Sequence, residues 1–124
     1  MAWKVLIADD QPEIRELVRA AVEKLGCEVT EASDGQEAWH LLLELRPDMA
    51  ILDVSMPERN GMELARAMAA EPALQATRVV LLTGLDPVDL PRPEDGAPPR
   101  IDLYVQKPFT IGSLRQLVEK ELAR

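Results

Sequence analysis

The chain has 124 residues, of which 47% are hydrophobic and 29% charged, and its formal net charge is −8. These values are typical of one globular domain, and the acidic balance disfavours direct nucleic-acid binding, which needs a basic surface to neutralise phosphates. No apolar run approaches the roughly 20 residues of a membrane helix, and the chain begins with a predicted strand rather than a signal peptide. We therefore expect a single cytoplasmic domain over residues 1–124 without an effector domain, in which the lone Cys27 is a buried apolar residue.

The first strand is predicted over residues 3–8 and is followed by two adjacent carboxylates, Asp9 and Asp10. Asp10 is a candidate N-cap for the next helix, whose first turn contains Pro12. An N-cap explains only one of the two, and paired carboxylates at a strand end are costly unless a cation lies beside them. The helix ends at Gly26. Its apolar residues recur at spacings of three and four, and they are Ile14, Leu17, Val18, Ala21, Val22 and Leu25.

The second strand and helix are predicted from weaker patterns. Residues 27–32 form a short, relatively polar run that predicts a strand at the sheet edge. A turn over residues 33–35 precedes a helix that stops before Pro47. His40 is the only histidine and has no second metal-type ligand at helical spacing on this helix, so we interpret it as a surface or boundary residue.

The central strand is the apolar run 49–52, which ends abruptly in the carboxylate of Asp53. A loop containing the turn pair Asn60 and Gly61 follows, and a third helix is predicted over residues 62–70. Ligands of open α/β sheets bind outside the carboxyl ends of the strands, which makes Asp53 a candidate functional residue. The alternative interpretation is an aspartate that only begins the turn.

The last part of the chain contains two more strands, separated by an unusual segment. The strand over 78–82 ends in Thr83, and the strand over 101–105 runs into Lys107. Residues 86–100 contain five of the ten prolines, and each proline inside a helix costs about 3 kcal/mol. A helix in this segment is therefore predicted to be missing or irregular. A final amphipathic helix has as its predicted inward-facing residues Ile111, Leu114, Leu117, Val118 and Leu122.

The five strands alternate with helices, which predicts a doubly wound parallel sheet. Asp9, Asp10, Asp53, Thr83 and Lys107 then follow strand ends at one edge of that sheet. Three carboxylates supply the hard oxygen ligands that Mg²⁺ prefers, and a lysine with a hydroxyl can neutralise and orient phosphoryl oxygens. A carboxylate beside the metal can accept a phosphoryl group as an acyl phosphate.

The same residues resemble the receiver domain of bacterial two-component response regulators. The resemblance covers residues 3–122, and its motifs are Asp9-Asp10, Asp53 in Leu-Asp-Val-Ser-Met-Pro, Asn60-Gly61, Thr83-Gly84 and Lys107-Pro108-Phe109. It implies a flavodoxin-like fold with strand order 2-1-3-4-5. It also implies a phospho-acceptor switch that catalyses only its own phosphorylation and dephosphorylation, rather than an enzyme with a separate substrate.

The resemblance implies which residues take part in phosphoryl transfer. Asp53 would accept the phosphoryl group from a sensor histidine kinase or a phosphotransfer protein. Mg²⁺ or Mn²⁺ would be bound directly by Asp10, by Asp9 mostly through water, by Asp53, and by the backbone carbonyl of Ser55. The output would be phosphorylation-dependent binding to a downstream protein that the sequence does not name, with no direct nucleic-acid or membrane contact.

The resemblance also implies which residues respond to phosphorylation. Lys107 would pair with Asp53 before transfer and with the phosphoryl group afterwards. The Thr83 hydroxyl would move toward the phosphoryl oxygen, and Tyr104 matches the switch aromatic that follows it. Tyr104 has an alternative interpretation as a strand tyrosine covering the last helix. Leu85 is apolar at a position that flanks the attacking water in the family, which predicts a long-lived phosphoryl group.

Three other functions remain open at this point. The proline-rich segment 86–100 favours a receiver-shaped interaction module that no longer switches, whereas the intact acidic set opposes it. A phosphatase with an aspartyl nucleophile needs a second aspartate two residues after the first, where this chain has Ser55. A flavodoxin-like flavin carrier needs a Ser/Thr-rich phosphate loop after the first strand, and the sequence has none there.

Overall fold

The fold is a five-stranded parallel sheet covered by helices on both faces. The structure is a computed structural model that describes residues 2–84 and 100–123. The strands are β1 (Lys4–Ala8), β2 (Glu28–Ala32), β3 (Met49–Asp53), β4 (Arg78–Thr83) and β5 (Leu103–Gln106). Their order is β2-β1-β3-β4-β5, with every neighbouring pair parallel. The predicted sheet, its strand order and the edge position of the second strand are confirmed.

Four α-helices lie within the described residues. They are α1 (Pro12–Glu23), α2 (Gly35–Leu45), α3 (Gly61–Ala69) and α4 (Ile111–Leu122), with a 3-10 turn at Pro72–Leu74 after α3. The prediction of an irregular helix over 86–100 concerns residues that, except for Arg100, lie outside the described part of the chain, and so does the prediction for Leu85. In the ranges 2–84 and 100–123, no helix has the length and apolar character needed to cross a membrane.

The helix caps position three of the helix N-termini. The Asp34 carboxylate accepts the N–H of Glu37 at 2.8 Å, and Asn60 and Thr110 each form a reciprocal capping box. Helix α1 differs, because Gln11 occupies its cap position without a side-chain hydrogen bond to the helix. The interpretation of Asp10 as the N-cap is therefore wrong, and this carboxylate is free of the capping role that helices usually give an aspartate at this place.

Two hydrophobic cores lie on opposite faces of the sheet. One packs α1 and α4 against the sheet, and the other packs α2 and α3 against the other face. Cys27 is buried in the first core and His40 is exposed, as predicted. Leu117 is 37% exposed, so its predicted inward orientation is wrong. The buried face of α4 is formed by three apolar residues spaced four apart, which are Leu114, Val118 and Leu122. Leu117 lies at the margin of this face.

Candidate functional site

Asp53 is the last residue of β3, a strand in which all five residues are buried. Its own side chain is almost inaccessible, because β3 lies in the middle of the sheet between β1 and β4. The Lys107 ammonium nitrogen lies 3.2 Å from Asp53 Oδ1. The backbone N–H of Ser55 donates to the same oxygen at 3.3 Å. The carboxylate is thus held by two donors at the carboxyl edge of the sheet.

Asp9 and Asp10 follow β1, the neighbouring strand, and complete a carboxylate cluster with Asp53. Asp9 is fully buried, whereas Asp10 is exposed. One carboxylate oxygen from each of the three residues lies within 4.8 Å of the other two. The Lys107 ammonium reaches this cluster at 3.8 Å from Asp9 Oδ2. The predicted convergence of Asp9, Asp10, Asp53 and Lys107 is therefore present in the structure.

The two oxygens of Asp9 have different environments. Oδ1 accepts the backbone N–H of Gln11 at 2.9 Å, whereas the described residues offer no hydrogen-bond partner to the buried Oδ2. Burial raises the pKa of Asp9 from its ordinary 3.8 to about 6. The negative charge of Asp53 raises the pKa further, while the Gln11 N–H and the Lys107 ammonium oppose the shift. The positive charge around Asp9 is thus too small to offset the cost of burying its ionised form.

This donor set fits a hard divalent cation. It consists of carboxylate oxygens alone, and one of them is buried without a hydrogen-bond donor. A cation beside Asp9 Oδ2 would supply the missing charge and relieve the repulsion between Asp9 and Asp53. Asp9, Asp10 and Asp53 can therefore hold a metal ion, and the oxygen-only chemistry favours Mg²⁺ or Mn²⁺ over softer metals.

Thr83 and Lys107 are brought together by the last two strands. Thr83 is buried at the end of β4, and its backbone carbonyl accepts the N–H of Lys107 at 2.7 Å. This bond closes the β4–β5 ladder next to the carboxylate cluster. Tyr104 lies on the edge strand β5, in register with Leu81, and its side chain is 38% exposed.

The loop after Asp53 is packed tightly on both sides. A Cβ atom at Gly61 would lie 2.5 Å from the carbonyl oxygen of Asp53, so the start of α3 approaches the end of β3 as only glycine permits. On the other side, the N–H of Gly35 donates to the carbonyl of Pro57 at 3.2 Å. The Arg59 guanidinium carbon lies 5.2 Å from the centre of the Trp39 ring, a cation–π contact between the loop and α2.

Two contacts at the site have no counterpart among the sequence predictions. The Gln11 N–H binds Asp9 Oδ1, and the Arg15 guanidinium donates to the Asp9 carbonyl oxygen at 2.8 Å. The apolar periodicity of α1 gives no signal for Arg15, because the residue belongs to the polar part of the helix. Its position one turn after Gln11 is the only hint, since it places the side chain at the end of α1 nearest the carboxylates.

Comparison with known proteins identifies the family of this fold and site. Residues 5–119 match the family model described as the response regulator receiver domain. The chain belongs to the response regulator receiver domain family. The chemotaxis response regulator CheY4 of Vibrio cholerae has a TM-score of 0.86 to this receiver domain, with 29% sequence identity, and the match covers 98% of this chain and 99% of CheY4.

Curated relatives of the receiver domain are longer proteins. The phosphate regulon transcriptional regulatory protein PhoB of Pseudomonas aeruginosa is 33% identical over 116 residues, which cover 94% of this chain and 48% of PhoB. The transcriptional regulatory protein PdtaR of Mycobacterium tuberculosis is 35% identical over 123 residues, 98% of this chain and 57% of PdtaR. The chain thus spans about half the length of these relatives.

Proposed function

We propose that this receiver domain accepts a phosphoryl group on Asp53 in a Mg²⁺-dependent reaction and signals by binding another protein in its phosphorylated state. The observation that carries the proposal is the buried Asp53 carboxylate, which lies 3.2 Å from the Lys107 ammonium and shares a cluster with Asp9 and Asp10. The phosphoryl donor is a phosphohistidine on a sensor kinase or a phosphotransfer protein. The phospho-acceptor unit spans residues 1–124 and acts in the cytoplasm.

Transfer proceeds by attack of a carboxylate oxygen of Asp53 on phosphorus. The new O–P bond forms as the P–N bond of the phosphohistidine breaks, and the departing imidazole nitrogen keeps the electron pair. Asp9, Asp10, Asp53 and the Ser55 carbonyl would hold Mg²⁺, which would supply positive charge to the phosphoryl oxygens. Attack of water on the same phosphorus later releases phosphate and regenerates the carboxylate, so the domain acts on no separate substrate.

The remaining residues of the site orient and read the phosphoryl group. The Lys107 ammonium turns from Asp53 to a phosphoryl oxygen once the carboxylate has become an acyl phosphate. The buried Thr83 contributes its hydroxyl to another phosphoryl oxygen, and its hydrogen-bonded link to the Lys107 backbone couples that movement to β5. Tyr104 on β5 is 38% exposed, so its ring has surface left to bury, which supports the proposed role as the switch aromatic.

The decisive experiment is intact-mass spectrometry after incubation with Mg²⁺ and acetyl phosphate. We expect one alkali-labile phosphoryl adduct on the wild type, none on Asp53→Asn, and none when EDTA replaces Mg²⁺. Asp48→Asn is a matched control, because it removes a carboxylate that binds the Lys4 N–H outside the cluster. An unmodified wild type, even with a cognate kinase and ample Mg²⁺, would overturn the proposal in favour of a receiver-fold interaction module without a switch.

A further inference from the structure

Arg15 connects the carboxylate cluster to the second strand. Its Nη1 donates to the Asp9 carbonyl oxygen at 2.8 Å, and its Nε pairs with Glu31 Oε1 at 3.1 Å. Both side chains of this ion pair are largely shielded, with 19% and 29% exposure, so solvent screens the pair less than a surface salt bridge. One guanidinium thus joins α1, β2 and the turn after β1.

This contact completes a set of three restraints on Asp9. The Asp9 N–H donates to the Ala32 carbonyl at 3.1 Å, which fixes its nitrogen to β2. The Gln11 N–H fixes one carboxylate oxygen, and Arg15 fixes the carbonyl oxygen. The carbonyl of Asp9 belongs to the peptide unit that also carries the nitrogen of Asp10. Arg15 therefore orients the peptide between the two carboxylates rather than either carboxylate itself.

We propose that Arg15 is a positioning residue for the metal site, held in place by Glu31 and acting through the Asp9–Asp10 peptide. The inference rests on the proposed function, in which these carboxylates bind Mg²⁺. Mg²⁺ demands near-ideal octahedral geometry, so its affinity depends on how well the ligands are oriented before it binds. Groups that orient metal ligands commonly change metal affinity by about 10- to 100-fold when they are replaced.

The chain contains a matched control for Arg15. Arg19 lies one turn further along α1 and also pairs with Glu31, as well as with Glu23, but neither of its ion pairs reaches Asp9. Arg15→Gln and Arg19→Gln each remove one positive charge and one partner of Glu31. A difference between the two variants therefore isolates the contact with the Asp9 carbonyl from the effect of net charge.

In the first test, the wild type and the variants are titrated with Mg²⁺ alone, and binding is measured from the backbone amide NMR shifts. A second test measures how the rate of phosphorylation by acetyl phosphate depends on the Mg²⁺ concentration. We expect the dissociation constant for Mg²⁺ to rise about tenfold or more in Arg15→Gln and less than twofold in Arg19→Gln. The phosphorylation rate at saturating Mg²⁺ should be largely retained in Arg15→Gln. Replacing a residue that only stabilises the fold would raise the apparent dissociation constant no more than the measured loss of folded fraction accounts for.

The outcomes separate the inference from the proposed function. A wild type that binds no Mg²⁺ overturns both, whereas a wild type that binds Mg²⁺ with equal affinity to Arg15→Gln overturns only the role of Arg15. An equal loss of Mg²⁺ affinity in both arginine variants would assign the effect to net charge and would also overturn the role of Arg15. If Arg15→Gln fails to fold, the Mg²⁺ affinity of Arg15→Lys is measured instead, because a lysine ammonium cannot bind the Asp9 carbonyl and Glu31 with the planar geometry of the guanidinium. Unchanged Mg²⁺ affinity in Arg15→Lys overturns the role.

Discussion

Asp9 is a buried carboxylate whose charged form is unfavourable in the folded protein without a cation. Its pKa is about 6 in the folded state and ordinarily 3.8, so folding takes up a proton between roughly pH 4 and 6. The free energy of unfolding therefore falls as the pH rises through this window. Because a shift of one pKa unit corresponds to about 1.36 kcal/mol, ionised Asp9 lowers the free energy of unfolding by roughly 3 kcal/mol above pH 6.

We predict that Asp9→Asn stabilises the metal-free protein at pH 7 by up to roughly 3 kcal/mol, because it removes the buried charge. The gain should shrink as the pH falls toward 4, where the wild-type carboxyl is protonated, and therefore uncharged, in the folded protein. Urea unfolding in EDTA between pH 4 and 7 measures both effects. Asp10→Asn is the control, since it removes the neighbouring exposed charge. Identical pH profiles for the two variants would contradict the role given to burial.

The grouping of the site residues could be predicted from the sequence, because parallel strands bring their carboxyl ends to one edge of the sheet. Asp53, Lys107 and Thr83 are distant in sequence, yet each follows a recognisable apolar run. Arg15 could not be predicted in this way. It binds a backbone oxygen of Asp9, and every residue has such an oxygen, so no pattern of residue types reveals the contact.

Glycines allow the elements that surround Asp53 to approach one another closely. Helix α3 begins at Gly61, directly against the carbonyl of Asp53, and its cap residue Asn60 fixes the direction of the helix. The loop between them is held against α2 by Gly35, where a side chain would clash with the carbonyl of Arg59. Two glycines therefore allow the loop to pack closely between the end of β3 and α2.

We predict that Gly61→Ala destabilises the protein by about 1–3 kcal/mol, as overpacking against backbone commonly does. It should also slow phosphorylation, because the end of β3 must shift to admit the methyl group. Gly112→Ala is the matched control at the start of α4, where the nearest neighbour of a new Cβ lies 4.0 Å away. This variant should gain about 0.5–1 kcal/mol from helix propensity. Chemical denaturation of both proteins checks the opposite signs.

The boundaries of the strands were predicted well where apolar runs and turns coincide, as in β3. The fifth strand was predicted over 101–105 but begins at Leu103. The carboxylate of Asp102 accepts the Val79 N–H at 2.8 Å, and Arg100 donates to the carbonyls of Gln75 and Thr77. The Asp102 side chain thus takes the Val79 N–H, while the Asp102 N–H still donates to the Val79 carbonyl at 2.9 Å. Hydropathy carries no information about such competition between side chains and backbone.

Net charge and the carboxylate cluster act together at the scale of the whole molecule. With a net charge of −8, any cation screens general repulsion, whereas the cluster brings three carboxylates within 4.8 Å, as no other group does in residues 2–84 and 100–123. A specific site and general screening therefore predict different responses to salt. Screening depends on ionic strength alone, whereas binding to the folded state depends on the identity and concentration of the ion.

We predict that Mg²⁺ raises the free energy of unfolding of the wild type by about 2.7 kcal/mol at a concentration 100 times its dissociation constant. NaCl at matched ionic strength should give a clearly smaller increase. Asp9→Asn, which lacks one proposed ligand, should respond to Mg²⁺ much as it responds to NaCl. Thermal and urea unfolding measure these differences, and equal stabilisation of the wild type by the two salts would argue against a specific site.

The contact between Arg59 and Trp39 provides an optical probe of the loop that follows Asp53. Of the two tryptophans, Trp3 is 41% exposed near the chain start, whereas Trp39 is partly buried beneath the guanidinium of the loop. Indole emission shifts when a positive charge beside the ring moves, so Trp39 fluorescence in a Trp3→Phe protein reports loop position without a label. Stopped-flow fluorescence after mixing with acetyl phosphate would then measure the rate at which the loop moves. Arg59→Gln is the control, because it lacks the positive charge beside the ring.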